Sequence, residues 1–132
     1  MAFRLVLITP EAPAPNEPEL LRSLFSRGLQ TLHIRRLRCD EAAVAETLAA
    51  LPPEARCRCV LHQHHVLAKR FSVGGIHYPE RERPAGVIRA PPGLSVSTSL
   101  HALADLGICW GQLDYAFLSP IYHSISKPGA VQ

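Results

Sequence analysis

The stretch LVLITPEAPAPNEPELLRSLFSRGLQTLHI, residues 5–34, contains a complete strand–helix–strand unit. Residues 5–8 are continuously apolar and rich in strand-forming side chains, which is typical of a strand covered on both faces. Apolar side chains then recur at helical spacing over residues 17–27, and Gly28 is placed to end that helix. Residues 31–34 are again strand-like, so the stretch predicts two parallel strands joined by a helix.

The same alternation continues along the chain. Asp40 predicts the N-cap of a second helix that runs to Leu51 and stops at Pro52. Further strands are predicted at residues 59–62, 76–78, 94–97 and 115–118, helices at 66–71 and 100–106, and a proline-rich loop at 79–92. Gly107 is placed to end the last of these helices. Strands alternating with helices indicate a parallel α/β sheet, and periodicity alone leaves open a doubly wound sheet or a barrel.

The composition indicates one packed domain. The chain has 132 residues, of which 47% are hydrophobic and 19% are charged. No apolar run approaches the roughly 18 residues that a membrane span requires. The apolar start is short and runs into Pro10, so it predicts a strand and not a signal peptide. A cytoplasmic location is therefore expected.

Charged and aromatic side chains give no sign of a nucleic-acid surface. The formal net charge is +3, and the basic cluster of Arg35, Arg36 and Arg38 is followed at once by Asp40 and Glu41. A nucleic-acid surface has a broad basic face interleaved with aromatic side chains, whereas aromatic residues make up 6% of this chain. We expect neither a nucleic-acid nor a membrane partner, and the sequence leaves homo-oligomerisation open.

The cysteines give no sign of a metal or disulfide framework. They lie at positions 39, 57, 59 and 109 and form no Cys-x-x-Cys pair or zinc-finger spacing. We therefore expect reduced thiols with mostly structural roles.

Several segments together resemble the thiamin-phosphate synthase/TenI family. Residues 28–35, GLQTLHIR, are similar to its second strand, which ends in a Gln-x-Arg-x-Lys pattern. Residues 67–77 contain LA and GIH and resemble its Leu-Ala…Gly-Val-His segment, while residues 101–105, HALAD, resemble its His-Ser-Leu-Glu-Glu helix start. The most specific similarity is that of residues 114–121, DYAFLSPI, and 124–129, SISKPG, to Ala-Asp-Tyr-x-x-x-Gly-Pro-Ile-Phe…Thr-x-Thr-Lys-Pro-Gly. The order and spacing of these segments agree with the family.

The resemblance implies a (β/α)8 barrel, which normally requires about 250 residues. The predicted fold class is therefore an α/β, TIM-barrel-like parallel barrel with about six strands of the usual eight. We expect residues 1–132 to form a single thiamin-phosphate-synthase/TenI-like domain that is short at its C-terminal end. Barrel phosphate sites often use the loops after strands seven and eight, so part of that site is expected to be missing.

For a synthase, the resemblance implies a pyrimidine diphosphate held by Mg²⁺ and attacked by the nitrogen of a thiazole phosphate. Aligned on the Gly-x-His segment, the family's Asn-Asp pair falls on His62 and Gln63, and its later Asp falls near Glu82. Mg²⁺ prefers carboxylates and other hard oxygen ligands. The synthase half of the site is therefore predicted to be degraded, and Mg²⁺ is expected only if the chain acts as a synthase.

The phosphate-binding pattern of the family is better kept. The family lysine after strand two falls on Leu37, with Arg36 and Arg38 as the nearest cations, while Arg35 keeps the strand-two arginine. Lys127 keeps the lysine that grips a phosphate, with serines in place of the two threonines before it. The predicted substrate-binding residues are His33, Arg35, His62, Gln63, Ser99, Ser124, Ser126 and Lys127.

The leading functional hypothesis is a thiazole tautomerase. The resemblance implies that TenI-type members aromatise a thiazole carboxylate phosphate by a proton shift, which requires a general acid/base and no metal. His101 falls on the family histidine that is the catalytic base in those enzymes, although many synthases also carry it. The structural alternative for His101 is a residue that resembles an N-cap and bonds the backbone.

Three alternatives remain open. The first is a divergent thiamin-phosphate synthase, in which Gln63 or Glu82 would replace the family's magnesium carboxylates. The second is a non-catalytic homologue that binds a thiazole or pyrimidine phosphate. The third is a metal-dependent hydrolase, because His62 and His64 would share one face of a strand; no third ligand is evident, so no metal is predicted. The histidines expected near the carboxyl ends of strands two to four are His33, His62, His64 and His77.

Overall fold

The computed structural model describes residues 3–109, 111–123 and 125. Its strands are β1 (Val6–Ile8), β2 (Thr31–Ile34), β3 (Cys59–Leu61), β4 (Gly75–Tyr78), β5 (Ser95–Leu100) and β6 (Tyr115–Leu118). Its helices are α1 (Glu17–Ser26), α2 (Glu41–Ala49), α3 (Pro53–Arg56), α4 (Leu67–Phe71) and α5 (Leu106–Cys109), with 3-10 turns at Glu80–Glu82 and Leu103–Asp105. No helix among the described residues is long and apolar enough to cross a bilayer.

The strands follow one another in the sheet in the order in which they occur in the chain. The pairs β1–β2, β2–β3, β3–β4 and β5–β6 are all parallel. A doubly wound sheet reverses its strand order at a switch point, whereas a (β/α) barrel adds each strand beside the previous one. The sequential order confirms the predicted class, a parallel α/β fold of the TIM-barrel type.

The chain forms two compact units, Met1–Ile76 and His77–Gln132. In the first unit all four residues of β2 are buried, as expected for a parallel strand covered on both faces. Each buried leucine or isoleucine there stabilises the fold by about 1.5–3 kcal/mol relative to an exposed one. The apolar core of this unit includes Leu21, Phe25, Leu32, Ile34, Val44, Leu48, Val60, Leu61 and Leu67.

Local signals place the first two helices as predicted. The Asp40 carboxylate accepts the N–H of Ala43 at 2.9 Å and so caps α2, an interaction worth about 1 kcal/mol. Gly28 has a φ of +103°, which a residue with a Cβ rarely adopts, and it follows the end of α1. α2 ends at Ala49, before the two prolines, and Pro53 begins the short helix α3, because proline is well tolerated in the first turn of a helix.

Two details of the predicted secondary structure are wrong. β1 is not covered on both faces, since Val6 and Leu7 are only partly buried and Ile8 is 44% exposed. The helix predicted at residues 100–106 is displaced, because β5 continues to Leu100 and its last four residues pair with Tyr115–Leu118. Strand pairing with a distant segment overrides the local helical spacing. Gly107 lies inside α5 and does not end it.

The two neighbouring cysteines of the first unit have opposite exposures, and this gives a direct test of the fold. Cys57 is exposed after α3, whereas Cys59 is buried in β3. Burial raises the pKa of the Cys59 thiol to about 12, so the group stays protonated at neutral pH. Because the thiolate is the nucleophile, Cys59 is expected to resist alkylation in the folded chain.

We expect iodoacetamide at pH 8 to modify Cys57 within minutes and to leave Cys59 unmodified over hours, as read by peptide mass spectrometry. In denaturant both cysteines should react, which serves as the control. Equal labelling of both residues in the folded chain would contradict the placement of β3.

Candidate functional site

In the first unit, polar side chains gather where β1, β2 and β3 end. Thr9 follows β1, and its N–H donates to the carbonyl of His33 at 3.0 Å. The Thr9 hydroxyl accepts the N–H of Arg35 at 2.9 Å and lies 3.3 Å from the Arg35 carbonyl. These bonds fix the backbone at the carboxyl edge of the first strands, which is the edge where (β/α) barrels bind their ligands.

His33 and His62 form a direct hydrogen bond at this edge. His33 Nδ1 lies 2.8 Å from His62 Nε2, and the two rings meet edge to face with an interplanar angle of 83°. His33 is 0% exposed and His62 is 4% exposed. The N–H of His62 donates to the carbonyl of Ile34, so the residue after β3 stays tied to β2. Two residues that were predicted to bind substrate are thus brought together.

The arginines after β2 have different surroundings. Arg35 is partly exposed and lies 3.8 Å from the carboxylate of Glu11. Arg36 is 1% exposed, and its guanidinium pairs with the buried carboxylate of Glu17 and donates to the carbonyl of Pro10. Arg36 therefore serves the packing of α1 against the end of β2, and its charge is already matched. Arg36, one of the two cations nearest the family's lysine position, is thus already paired within the protein.

Gln63 and His64 follow His62 outside the strand. The Gln63 side-chain oxygen accepts the N–H of Arg36 at 3.3 Å, and the Gln63 amide nitrogen is buried without a protein partner among the described residues. β3 ends at Leu61, and His64 has a φ of +55° with its Nε2 bonded to the carbonyl of Cys39. The interpretation that His62 and His64 share one strand face is therefore wrong.

In the second unit, His77 lies between two serines of β5. Its Nδ1 is 2.8 Å from the Ser97 hydroxyl and its Nε2 is 2.9 Å from the Ser99 hydroxyl. His77 and Ser97 are fully buried, whereas Ser99 is partly exposed. Because both ring nitrogens have hydroxyl partners, the ring orientation is fixed and Ser99 is held in one rotamer at the end of the strand.

His101 directly follows β5, and elements on both sides of β5 hold its ring. Nδ1 lies 2.7 Å from the carbonyl oxygen of Ser119, which follows β6. A carbonyl oxygen can only accept, so Nδ1 carries a hydrogen and donates it. Nε2 lies 3.3 Å from the carboxylate of Glu80, and the His101 side chain is 52% exposed. The ring is thus oriented, accessible and next to a carboxylate.

Arg83 places a cation beside the same segment of β5. Its guanidinium donates to the carbonyl of Ser99 at 3.0 Å and to the hydroxyl of Thr98 at 3.4 Å. The Thr98 hydroxyl in turn donates to the carbonyl of Tyr78 at 2.7 Å. The loop after β4 therefore contributes a carboxylate, that of Glu80, and a cation, the guanidinium of Arg83, to the surroundings of the β5 end.

The predicted site residues thus divide into three sets. His33, Arg35, His62 and Gln63 lie at the strand ends of the first unit. Ser99 and His101 lie at the end of β5 in the second unit. Ser124, Ser126 and Lys127 fall outside the described residues.

Near Ser99 and His101, the sequence-based prediction gave no role to Glu80 or Arg83, and it placed His77 only near the carboxyl end of a strand. The Gly-Ile-His segment already marked His77, but its two serine partners lie 20 and 22 residues further along the chain. Glu82 was expected from the alignment to approach the site; it is exposed, and Glu80 is the residue that contacts His101.

Comparisons with known proteins give consistent results. A family model described as thiamine monophosphate synthase matches residues 5–132. The structure is similar to thiamine phosphate pyrophosphorylase from Bacteroides thetaiotaomicron, with a TM-score of 0.79 and 28% identity over 91% of this chain and 59% of that one. It is similar in fold to thiamine phosphate pyrophosphorylase from Pyrococcus furiosus, with a TM-score of 0.69 and 16% identity over 90% of this chain and 61% of that one. The chain thus spans less than two thirds of the length of either structure. No curated protein matches the sequence.

Proposed function

Because the chain belongs to the thiamine monophosphate synthase family, we propose that it binds a phosphorylated thiazole and aromatises it by a proton shift, as TenI-type members do. The observation on which this proposal rests is the setting of His101. One ring nitrogen is committed to a backbone carbonyl, and the other is accessible beside a carboxylate. This is the arrangement that a general acid/base requires.

A tautomerisation removes a proton from one carbon and returns a proton to another. His101 Nε2 is the proposed group that takes and returns the proton, while the Ser119 carbonyl keeps the ring in one tautomer and orientation. The Glu80 carboxylate would pair with the imidazolium that exists between the two steps. The contact is an ion pair only while the ring is protonated.

The other residues have proposed binding roles. The Ser99 hydroxyl, oriented by His77, would contact the substrate beside His101. Lys127, with Ser124 and Ser126, is proposed to hold the phosphate, on the strength of the sequence pattern alone. In the first unit, Arg35 offers a partly exposed cation, and Gln63 offers an amide donor without a protein partner among the described residues.

The first unit does not suit the magnesium ion that synthase chemistry requires. The two positions after β3 hold an imidazole and an amide where hard oxygen ligands are needed. The Gln63 oxygen already accepts a backbone N–H, and the His62 ring faces another ring nitrogen. The lysine position is taken by Leu37, which is 43% exposed. His62, Gln63 and Leu37 therefore favour the metal-independent reaction.

A second candidate function is thiamin-phosphate synthesis itself. It is favoured by the 28% identity to a structure named thiamine phosphate pyrophosphorylase. This reaction joins a pyrimidine diphosphate to a thiazole phosphate and releases diphosphate. It would require Gln63 or Glu82 to act as oxygen ligands for Mg²⁺.

One assay separates these functions. The purified chain is given the non-aromatic thiazole carboxylate phosphate in EDTA, and the aromatic product is followed by proton NMR. We expect turnover that is unchanged by EDTA. In a parallel reaction with both thiamin precursors and Mg²⁺, we expect no release of diphosphate.

Each outcome has a distinct meaning. Release of diphosphate would replace the tautomerase with the synthase. Binding of the phosphorylated thiazole without turnover, measured by calorimetry, would leave a non-catalytic ligand-binding homologue. If the phosphorylated thiazole does not bind at all, both the tautomerase and the ligand-binding homologue are rejected.

A further inference from the structure

The bonded pair of His33 and His62 has no part in the proton shift at His101. We propose that these two imidazoles form a binding site for a divalent cation that prefers nitrogen ligands, such as Zn²⁺. The site lies wholly in the first unit, at the ends of β2 and β3. This inference does not depend on the proposed thiazole chemistry.

In this pair, one ring nitrogen of His33 faces one ring nitrogen of His62. Two neutral imidazoles that share a hydrogen bond have one proton between the facing nitrogens, so a lone pair on one faces an N–H on the other. Here those atoms are His33 Nδ1 and His62 Nε2, which are 2.8 Å apart. Both residues are buried, and each offers a ring nitrogen that can act as a metal ligand.

The required rearrangement is small. Zn–N bonds of about 2.0–2.1 Å at a tetrahedral angle place two ligand nitrogens about 3.3 Å apart, so the rings need to separate by about half an ångström. The donating ring moves its proton to its own second nitrogen, which leaves both rings neutral and frees both facing lone pairs. The backbone bond from His62 to Ile34 can persist during this change.

The chemistry of the donors selects the metal. Imidazole nitrogen suits Zn²⁺, Co²⁺ and Ni²⁺, whereas Mg²⁺ and Ca²⁺ require oxygen. Burial of both rings removes competing water from the nitrogens and holds the ring planes at a fixed angle of 83°. Two protein ligands would leave two positions of a tetrahedral zinc ion to other ligands.

The test titrates the metal-free chain with Zn²⁺ against a chromophoric chelator and, in parallel, with Co²⁺ monitored by visible absorption. We expect one bound equivalent and no displacement by a large excess of Mg²⁺. His33→Gln and His62→Gln should each weaken binding by at least about tenfold, because each removes one nitrogen ligand and keeps a hydrogen-bonding amide. His64→Asn is the matched control, since Asn tolerates the left-handed backbone there, and it should bind as the parent does.

A second measurement requires no variant. Ring-nitrogen NMR of the parent chain should show Zn²⁺-dependent shifts at His33 Nδ1 and His62 Nε2 but not at His64. Unchanged affinity in folded His33→Gln and His62→Gln chains would overturn the proposal. Loss of binding in His64→Asn, or zinc shifts confined to other histidines, would also overturn it.

Discussion

Replacing His101 with Asn is expected to lower the rate of thiazole tautomerisation by about 10²–10⁴-fold, the usual contribution of a positioned general acid/base. Asn can still donate to the Ser119 carbonyl, so the local backbone should keep its conformation. It cannot exchange a proton at neutral pH. Affinity for the phosphorylated thiazole should change by less than about threefold, because the proposed phosphate anchor lies elsewhere in the chain.

Glu80 provides a graded comparison for this variant. The pair between His101 and Glu80 is partly exposed, and exposed pairs are worth roughly 0–1 kcal/mol. Glu80→Gln should therefore slow turnover by no more than about fivefold. A loss as large as that of His101→Asn would mean that Glu80 itself handles the proton.

His65→Asn in the first unit is the control for a general effect of losing a histidine, and its turnover should match the parent. The measurement is single-turnover proton NMR with saturating enzyme, which reports the chemical step. Unchanged turnover in His101→Asn would remove the acid/base role from this residue and leave the histidine with a structural one.

The sequence alone predicted the parts of the fold that depend on local signals. The bounds of β2 and β6, the Asp40 cap and the turn at Gly28 all agree with the structure. The end of β5 did not, because the ladder with β6 keeps residues up to Leu100 extended and the helical spacing that follows acts only from Leu103. Pairing between strands that are distant in sequence decides such boundaries. It cannot be predicted from a short window of sequence.

The site was predicted to a different extent in each unit. Motif similarity selected Ser99 and His101 as candidates, since both follow from a strand position and a family pattern. It could not locate Glu80 or Ser119, which reach His101 from 21 residues before it and 18 residues after it. Likewise the bond between His33 and His62 joins residues 29 positions apart, and only the register of β2 and β3 brings them together. Contacts of this kind depend on the fold and not on the spacing of the residues along the sequence.

The buried ion pair between Arg36 and Glu17 gives the largest expected effect on stability. The two side chains are 1% and 8% exposed, so removing one charge leaves the other buried and unpaired. Arg36→Met or Glu17→Leu should each lower the free energy of unfolding by about 3–5 kcal/mol. The double variant Arg36→Met/Glu17→Leu should recover most of that loss, because two apolar side chains of similar volume leave no buried charge.

Urea unfolding followed by circular dichroism measures these changes, and the exposed pair of Arg22 and Glu19 serves as the matched control. Those side chains are 46% and 69% exposed, so Arg22→Met should cost no more than about 1 kcal/mol. A similarly small loss in Arg36→Met would show that its guanidinium reaches solvent. Arg36 would then be a solvent-accessible cation directly before Leu37, the position at which the family has its lysine.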